Sequence, residues 1–187
     1  MTEIRQRILE AAVRVFMRYG VGKTRMNDIA QETGIARPTL YASFKNKDEI
    51  LSASILHYSD LSLAGIRHEW DHLDKLSEKL NVFYERAIIA SYQIISASPD
   101  ARDMIGGHNA VGKAATKTAQ LDKISAWAEL LDQHLPKDKL SSVTSEQLAE
   151  YIVLSSLGLR DHAESETQLR QLLEVQKQGI LALLNCD

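Results

Sequence analysis

The sequence predicts an all-α protein, with an N-terminal three-helix bundle containing a helix-turn-helix, followed by a larger helical domain. Three observations carry this. Leu occurs 24 times and Ala 20 times, against only three prolines, Pro38, Pro99 and Pro136. No window sustains the apolar–polar alternation of a strand, and no Asn-Gly hairpin signal occurs. Apolar residues instead recur at helical spacing between glycine and proline breaks.

Each element follows from its own punctuation. Thr2 can cap a first helix whose stripe is Ile4, Ile8, Ala12, Val15 and Tyr19, and Gly20 and Gly22 end it. Thr24 can cap a second helix that turns Met26, Ile29, Ala30 and Thr33 inward, with Asp28 favourable at its positive end. Gly34 stops that helix. Pro38 suits the first turn of a third, where its missing N–H would be unpaired anyway. Asn46-Lys47-Asp48-Glu49 reads as an N-cap with an acid three residues on, opening a fourth helix that reaches about residue 65. Further helices are expected over about 73–98, 99–105, 110–135, 145–162 and 166–185, broken by Pro99, Gly106-Gly107 and Pro136. The expected division is 1–46 for the bundle and 47–187 for the body.

Composition excludes several classes. With 187 residues, 44% hydrophobic and 25% charged, the chain can bury a core and is not of disordered type. A single cysteine, Cys186, forbids an internal disulfide and a cysteine-based zinc site. No apolar run approaches the roughly 20 residues a bilayer needs, and no apolar run follows a basic start. A cytoplasmic protein with no membrane contact is expected. The net charge of -3 hides an asymmetry: residues 1–50 carry nine Lys/Arg against six Asp/Glu, while the remainder is acidic. A basic head on an acidic body points the head at a polyanion.

The segment Thr24 to Leu51 has the layout of a helix-turn-helix. Small Ala30 permits close approach of two helices, Gly34 can take the left-handed conformation of a tight turn, and Ile35 and Leu40 close a small core. The second helix is thereby presented outward, in a form that fits the major groove of B-DNA. Ile29-Ala30, Gly34-Ile35, Thr39-Leu40-Tyr41, Phe44 and Lys47, at this spacing, resemble the DNA-binding domain of the TetR family of transcriptional repressors. The resemblance covers about residues 4–56. It implies that Arg37, Thr39, Ala42 and Ser43 read base edges, that Tyr41 and Lys47 touch phosphate, and that Thr24 and Arg25 do so at the start of the second helix. Asn27, Pro38 and Lys45 complete the expected DNA face. Ala36 departs from the pattern, where Ser is common, and removes a hydroxyl cap. The resemblance also implies a homodimer, repression by default, double-stranded operator DNA as partner and release by a small-molecule effector.

A second motif competes. His68-Glu69-Trp70-Asp71-His72 matches H-E-x-x-H, in which two imidazoles on one helical face share zinc and the glutamate is a general base. A zinc-dependent hydrolase is therefore an alternative, although His108, His134 and His162 lack recognisable spacing for a third ligand. A helical interaction module without DNA binding is another. No phosphate loop, nucleophile elbow or Cys/His cluster occurs, so no cofactor, no bound metal and no catalysis are expected. Tyr58, Leu61, Phe83, Tyr84, Tyr92, Met104 and Trp127 are candidates to line an effector cavity. Leu148, Ile152, Ser155, Ser156 and Leu159 on one helix, with Leu172, Gln176, Ile180 and Leu183 on the next, are candidates for the dimer interface.

Overall fold

The computed structural model describes residues 2–97, 104, 109–134 and 143–184. Among them the elements are α1 (Glu3–Tyr19), α2 (Met26–Thr33), α3 (Arg37–Ser43), α4 (Lys47–Trp70), α5 (Leu76–Phe83), a π-helical turn (Tyr84–Ile89), α6 (Ala90–Ala97), α7 (Ala110–His134), α8 (Ser145–His162) and α9 (Glu166–Leu184), with no strand. Most boundaries stand where the punctuation placed them. α1 ends at Gly20, which has φ +78°, and α2 ends at Gly34 in the left-handed region. α4 runs past Gly65, because a glycine inside a packed helix costs only about 1 kcal/mol and does not stop it. Of the segment expected as a helix over 99–105, only Met104 lies within the described residues.

The chain forms two compact units, Met1–Leu61 with Ile94–Ala119, and Ser62–Gln93 with Gln120–Asp187. The first therefore extends beyond residues 1–46. Its core joins Ile8, Phe16, Ile29, Leu40 and Phe44 to Ile50, Leu51 and Ile55 of α4 and to Met104 and Ala115. Asn109 caps α7 through the Gly112 N–H, and its Nδ2 donates to Asp48 Oδ1 at 2.8 Å.

The second unit is built around Trp127, which is fully buried with its ring 4.5 Å from Trp70 and 5.5 Å from Phe83. Lys79, only 3% exposed, donates from Nζ to Trp70 O, while Trp70 Nε1 donates to Lys79 O. That pair places a cation on the carbonyl end of α4, the favourable end of the helix dipole. Thr144 and Gln147 form a capping box at the start of α8. Ser156 donates to Gln176 Oε1 at 2.9 Å, which satisfies two polar side chains buried between α8 and α9.

This packing corrects the expected dimer stripe. Leu148, Ile152, Ser156, Gln176 and Ile180 are buried in the unit's own interior, and Ser155, Leu159 and Leu172 are half-buried. Leu183 of the expected stripe is exposed, and the other large apolar residues left outside on these helices are Tyr151 and Leu154 on α8 and Val175 on α9.

Candidate nucleic-acid interface

α2, the turn and α3 are set by backbone chemistry. Gly34 has φ +72° with its N–H on Gln31 O, and Ile35 N donates to Ala30 O at 3.0 Å, so the chain reverses in two residues. A Cβ at Gly34 would meet nothing within 4 Å, so the requirement is conformational rather than spatial. Ala36 caps α3 without a side-chain bond, and Pro38 stands in the first turn. Leu40 is the buried residue of α3 and anchors it to the core.

Everything else on α3 faces away from that anchor. Arg37, Pro38, Thr39, Tyr41 and Ala42 are exposed, together with Arg25, Asn27 and Lys45 beside them. Ser43 is half-buried, and its hydroxyl donates back to Thr39 O at 3.2 Å. No acceptor among the described residues holds the side chains of Arg37 or Lys45.

Two predicted contacts are placed differently. Thr24 is 2% exposed, and its hydroxyl donates to Gly20 O at 2.7 Å. It does not cap α2. Arg25 is the N-cap residue, and its N–H is taken by Asp28 Oδ2 at 2.8 Å. Lys47 turns its ammonium onto Val21 O at 2.6 Å and Thr24 O at 2.9 Å.

Other head cations are also spent internally, a feature that sequence reasoning missed. Arg5 donates to Ser43 O at 2.6 Å and lies 4.0 Å from the centre of the Phe44 ring. Arg7 donates to Thr33 O at 3.2 Å. Both bind carbonyls at helix C-termini, where no helical donor remains. Glu32 is paired with Arg14 and Arg18, and the Arg14 bond holds its carboxyl below the usual range. The positive face of the head is thus made by few residues, not by all nine.

The other sequence candidates divide. Tyr58 is half-buried, which pushes its phenol pKa upward, and Leu61 is 58% exposed. Met104 belongs to the core of the first unit. Phe83, Tyr84 and Trp127 are core residues of the second unit, with Tyr92 packed against them. Burial raises the Tyr84 phenol pKa, and Tyr151 of α8 and Glu174 of α9 add to it. His68 and His72 are exposed with ring centres 5.2 Å apart. Glu69, the general base of the hydrolase alternative, is ion-paired with Arg86. His162 Nδ1 lies 2.9 Å from Gly158 O. No group of three His, Cys, Asp or Glu among the described residues could hold a metal.

With this geometry in view, comparison with known proteins gives a consistent answer. Residues 8–54 match the family described as bacterial regulatory proteins, tetR family. The helix-turn-helix segment of this chain is thus similar to the tetR family. Among curated relatives, the transcriptional regulator TtgR of Pseudomonas putida is 38% identical over 76 residues, which is 40% of this chain and 36% of that protein. AcrR of Shigella flexneri is 40% identical over 68 residues, covering 36% of this chain and 31% of its own length. The chain thus covers about a third of the length of these relatives. The whole fold is shared more widely. FadR from Bacillus subtilis, solved in complex with stearoyl-CoA, superposes with a TM-score of 0.63 over 96% of this chain and 93% of that one, at 18% identity. No described helix is long and apolar enough to cross a membrane.

Proposed function

We propose that this chain is a sequence-specific, DNA-binding transcriptional regulator of the cytoplasm. It acts as a homodimer on a palindromic operator, represses by default, is not an enzyme, and is released by a small-molecule effector. The observation that carries this reading is α3. One residue anchors the helix, and its other side chains, Arg37, Thr39, Tyr41 and Ala42 among them, stand free for a groove. Lys45 and Arg25 supply charge for phosphate beside it.

Dimerisation follows from information content, since one recognition helix reads too few base pairs for useful specificity. The surface that suits it is Tyr151, Leu154 and Gly158 on α8 with Val175, Gly179 and Leu183 on α9. A Cβ at Gly158 or Gly179 would meet nothing within 4 Å, so each glycine leaves room for an opposing side chain. A two-fold axis would bring this surface onto its own copy. The effector would act by changing the distance between recognition helices, which must lie about 34–36 Å apart to meet successive major grooves. α4 is the proposed lever, because it runs unbroken from Lys47 to Trp70.

Selection of bound duplexes from a random library tests the reading. A recovered palindrome, bound with steep salt dependence, is the expected result. A pool without a shared motif, bound equally at low and high salt, would remove DNA recognition. For the switch, a cross-link holding two heads at operator spacing should preserve binding and abolish the effector response. Continued release from the cross-linked protein would exclude head separation as the mechanism.

A further inference from the structure

We infer that Lys47 is a positioning residue for DNA binding: its ammonium holds the α1–α2 turn in place and does not neutralise a phosphate. This rests on the reading of the head as a DNA-binding domain, but it is carried by a separate observation.

Lys47 is the first residue of α4, where the helix dipole disfavours a cation. The structure supplies compensation. Its Nζ lies 2.6 Å from Val21 O, 2.9 Å from Thr24 O and 3.5 Å from Gly22 O. An ammonium has three N–H groups, and here three carbonyls converge on it. These carbonyls belong to a turn that leaves α1 at Gly20 with positive φ, is closed by the Thr24 hydroxyl on Gly20 O, and enters α2 at Arg25. A turn carbonyl has no helical donor, so the lysine gives this one a fixed partner.

What the turn presents gives the grip its consequence. It delivers Arg25 and the free N–H groups at the start of α2, which are suited to phosphate. The other end of the grip is equally fixed. Asn46 Oδ1 accepts the Glu49 N–H at 2.9 Å, and Glu49 Oε2 accepts the Lys45 N–H at 2.8 Å. Lys47 therefore joins two capped structures into one body. Lys45, two residues earlier, is exposed and has no acceptor among the described residues, so it is the cation free to meet phosphate. Two lysines of one short segment thus have separable roles.

The test compares Lys47→Met, Lys47→Arg and Lys45→Met in the full chain, below every variant's melting transition. One mixed-sequence duplex is used, with carbonyl-carbon NMR of Val21 and Thr24. Lys47→Met keeps the stem and removes the donors. It should move both carbonyl resonances and weaken binding about tenfold at fixed salt, while the slope of log K against log salt stays at the wild-type value. Lys47→Arg should restore most of both. Lys45→Met should leave the carbonyls unmoved and lower the slope by roughly one. A slope lowered by about one in Lys47→Met, with Val21 and Thr24 unmoved, would return Lys47 to phosphate and overturn the inference. Wild-type affinity without salt dependence would instead remove the DNA reading, and with it a role for the grip in DNA binding.

Discussion

α3 and the α8–α9 pair each leave a face that their own unit does not use, and the two faces differ in chemistry. α3 leaves Arg37, Thr39 and Tyr41 outside, polar groups that offer hydrogen bonds and charge. α8 and α9 leave Tyr151, Leu154, Val175 and Leu183 outside, at 52%, 44%, 70% and 51% exposure. Water solvates the first face well and the second poorly. The inward stripe of each helix therefore says how the chain folds, and the outward residues carry the proposed contacts: a hydrated polyanion in one case and a second apolar surface in the other.

The sharpest test of that distinction compares buried and exposed neighbours on one helix. Ile152 is 0% exposed and Leu154 is 44% exposed. Ile152→Glu buries an unpaired carboxylate and should lose about 3–5 kcal/mol of stability, seen as a collapsed or absent thermal transition. Leu154→Glu should leave the monomer folded by circular dichroism and halve the mass by light scattering. A Leu154→Glu protein that stays dimeric would take this face out of the interface.

On the polar face the expected effect is smaller and confined to recognition. Arg37→Ala should cost about 1–3 kcal/mol of discrimination at one position in each half-site, measured against single-base operator variants. If the variant ranks all of them in the wild-type order, Arg37 does not read bases. Smaller still is the start of the same helix. Ala36 caps α3 without a side-chain bond, so Ala36→Ser should add about 0.5–1 kcal/mol in denaturant unfolding. No change would mean that Pro38 and the turn already fix the first residues of α3.

What the sequence disclosed and what it withheld divide along the same line. The helix-turn-helix was legible because its determinants are local: Gly34 for the left-handed turn, Pro38 for the first helical turn, Leu40 and Phe44 for the anchor. The inward stripes of α8 and α9 were legible as apolar periodicity, but periodicity does not say which apolar face meets the chain itself. Leu148, Ile152 and Ile180 have the same chemistry as Leu154 and Val175, and only the packed structure separates them. The target of Lys47 was hidden for a different reason. Backbone carbonyls carry no residue identity, so no motif announces Val21 and Thr24 as acceptors 26 and 23 residues away. The inward hydroxyl of Thr24 was hidden likewise, since capping by Thr24 and closure of the turn by Thr24 look alike in sequence.

The π-helical turn at Tyr84–Ile89 has a consequence for how the chain tolerates length changes. Within it the Ala90 N–H reaches Glu85 O, five residues back, in place of the four of an α-helix. The turn therefore holds one residue more than the surrounding hydrogen-bond ladder requires. Deleting a single residue there, such as exposed Arg86 or half-buried Ala87, would let the ladder close as α-helix without rotating the flanking turns. The same deletion within Leu76–Phe83 would swing every later side chain of that helix by about 100°. One helix thus contains a position where the reading frame of its faces can absorb a lost residue, next to a stretch where it cannot.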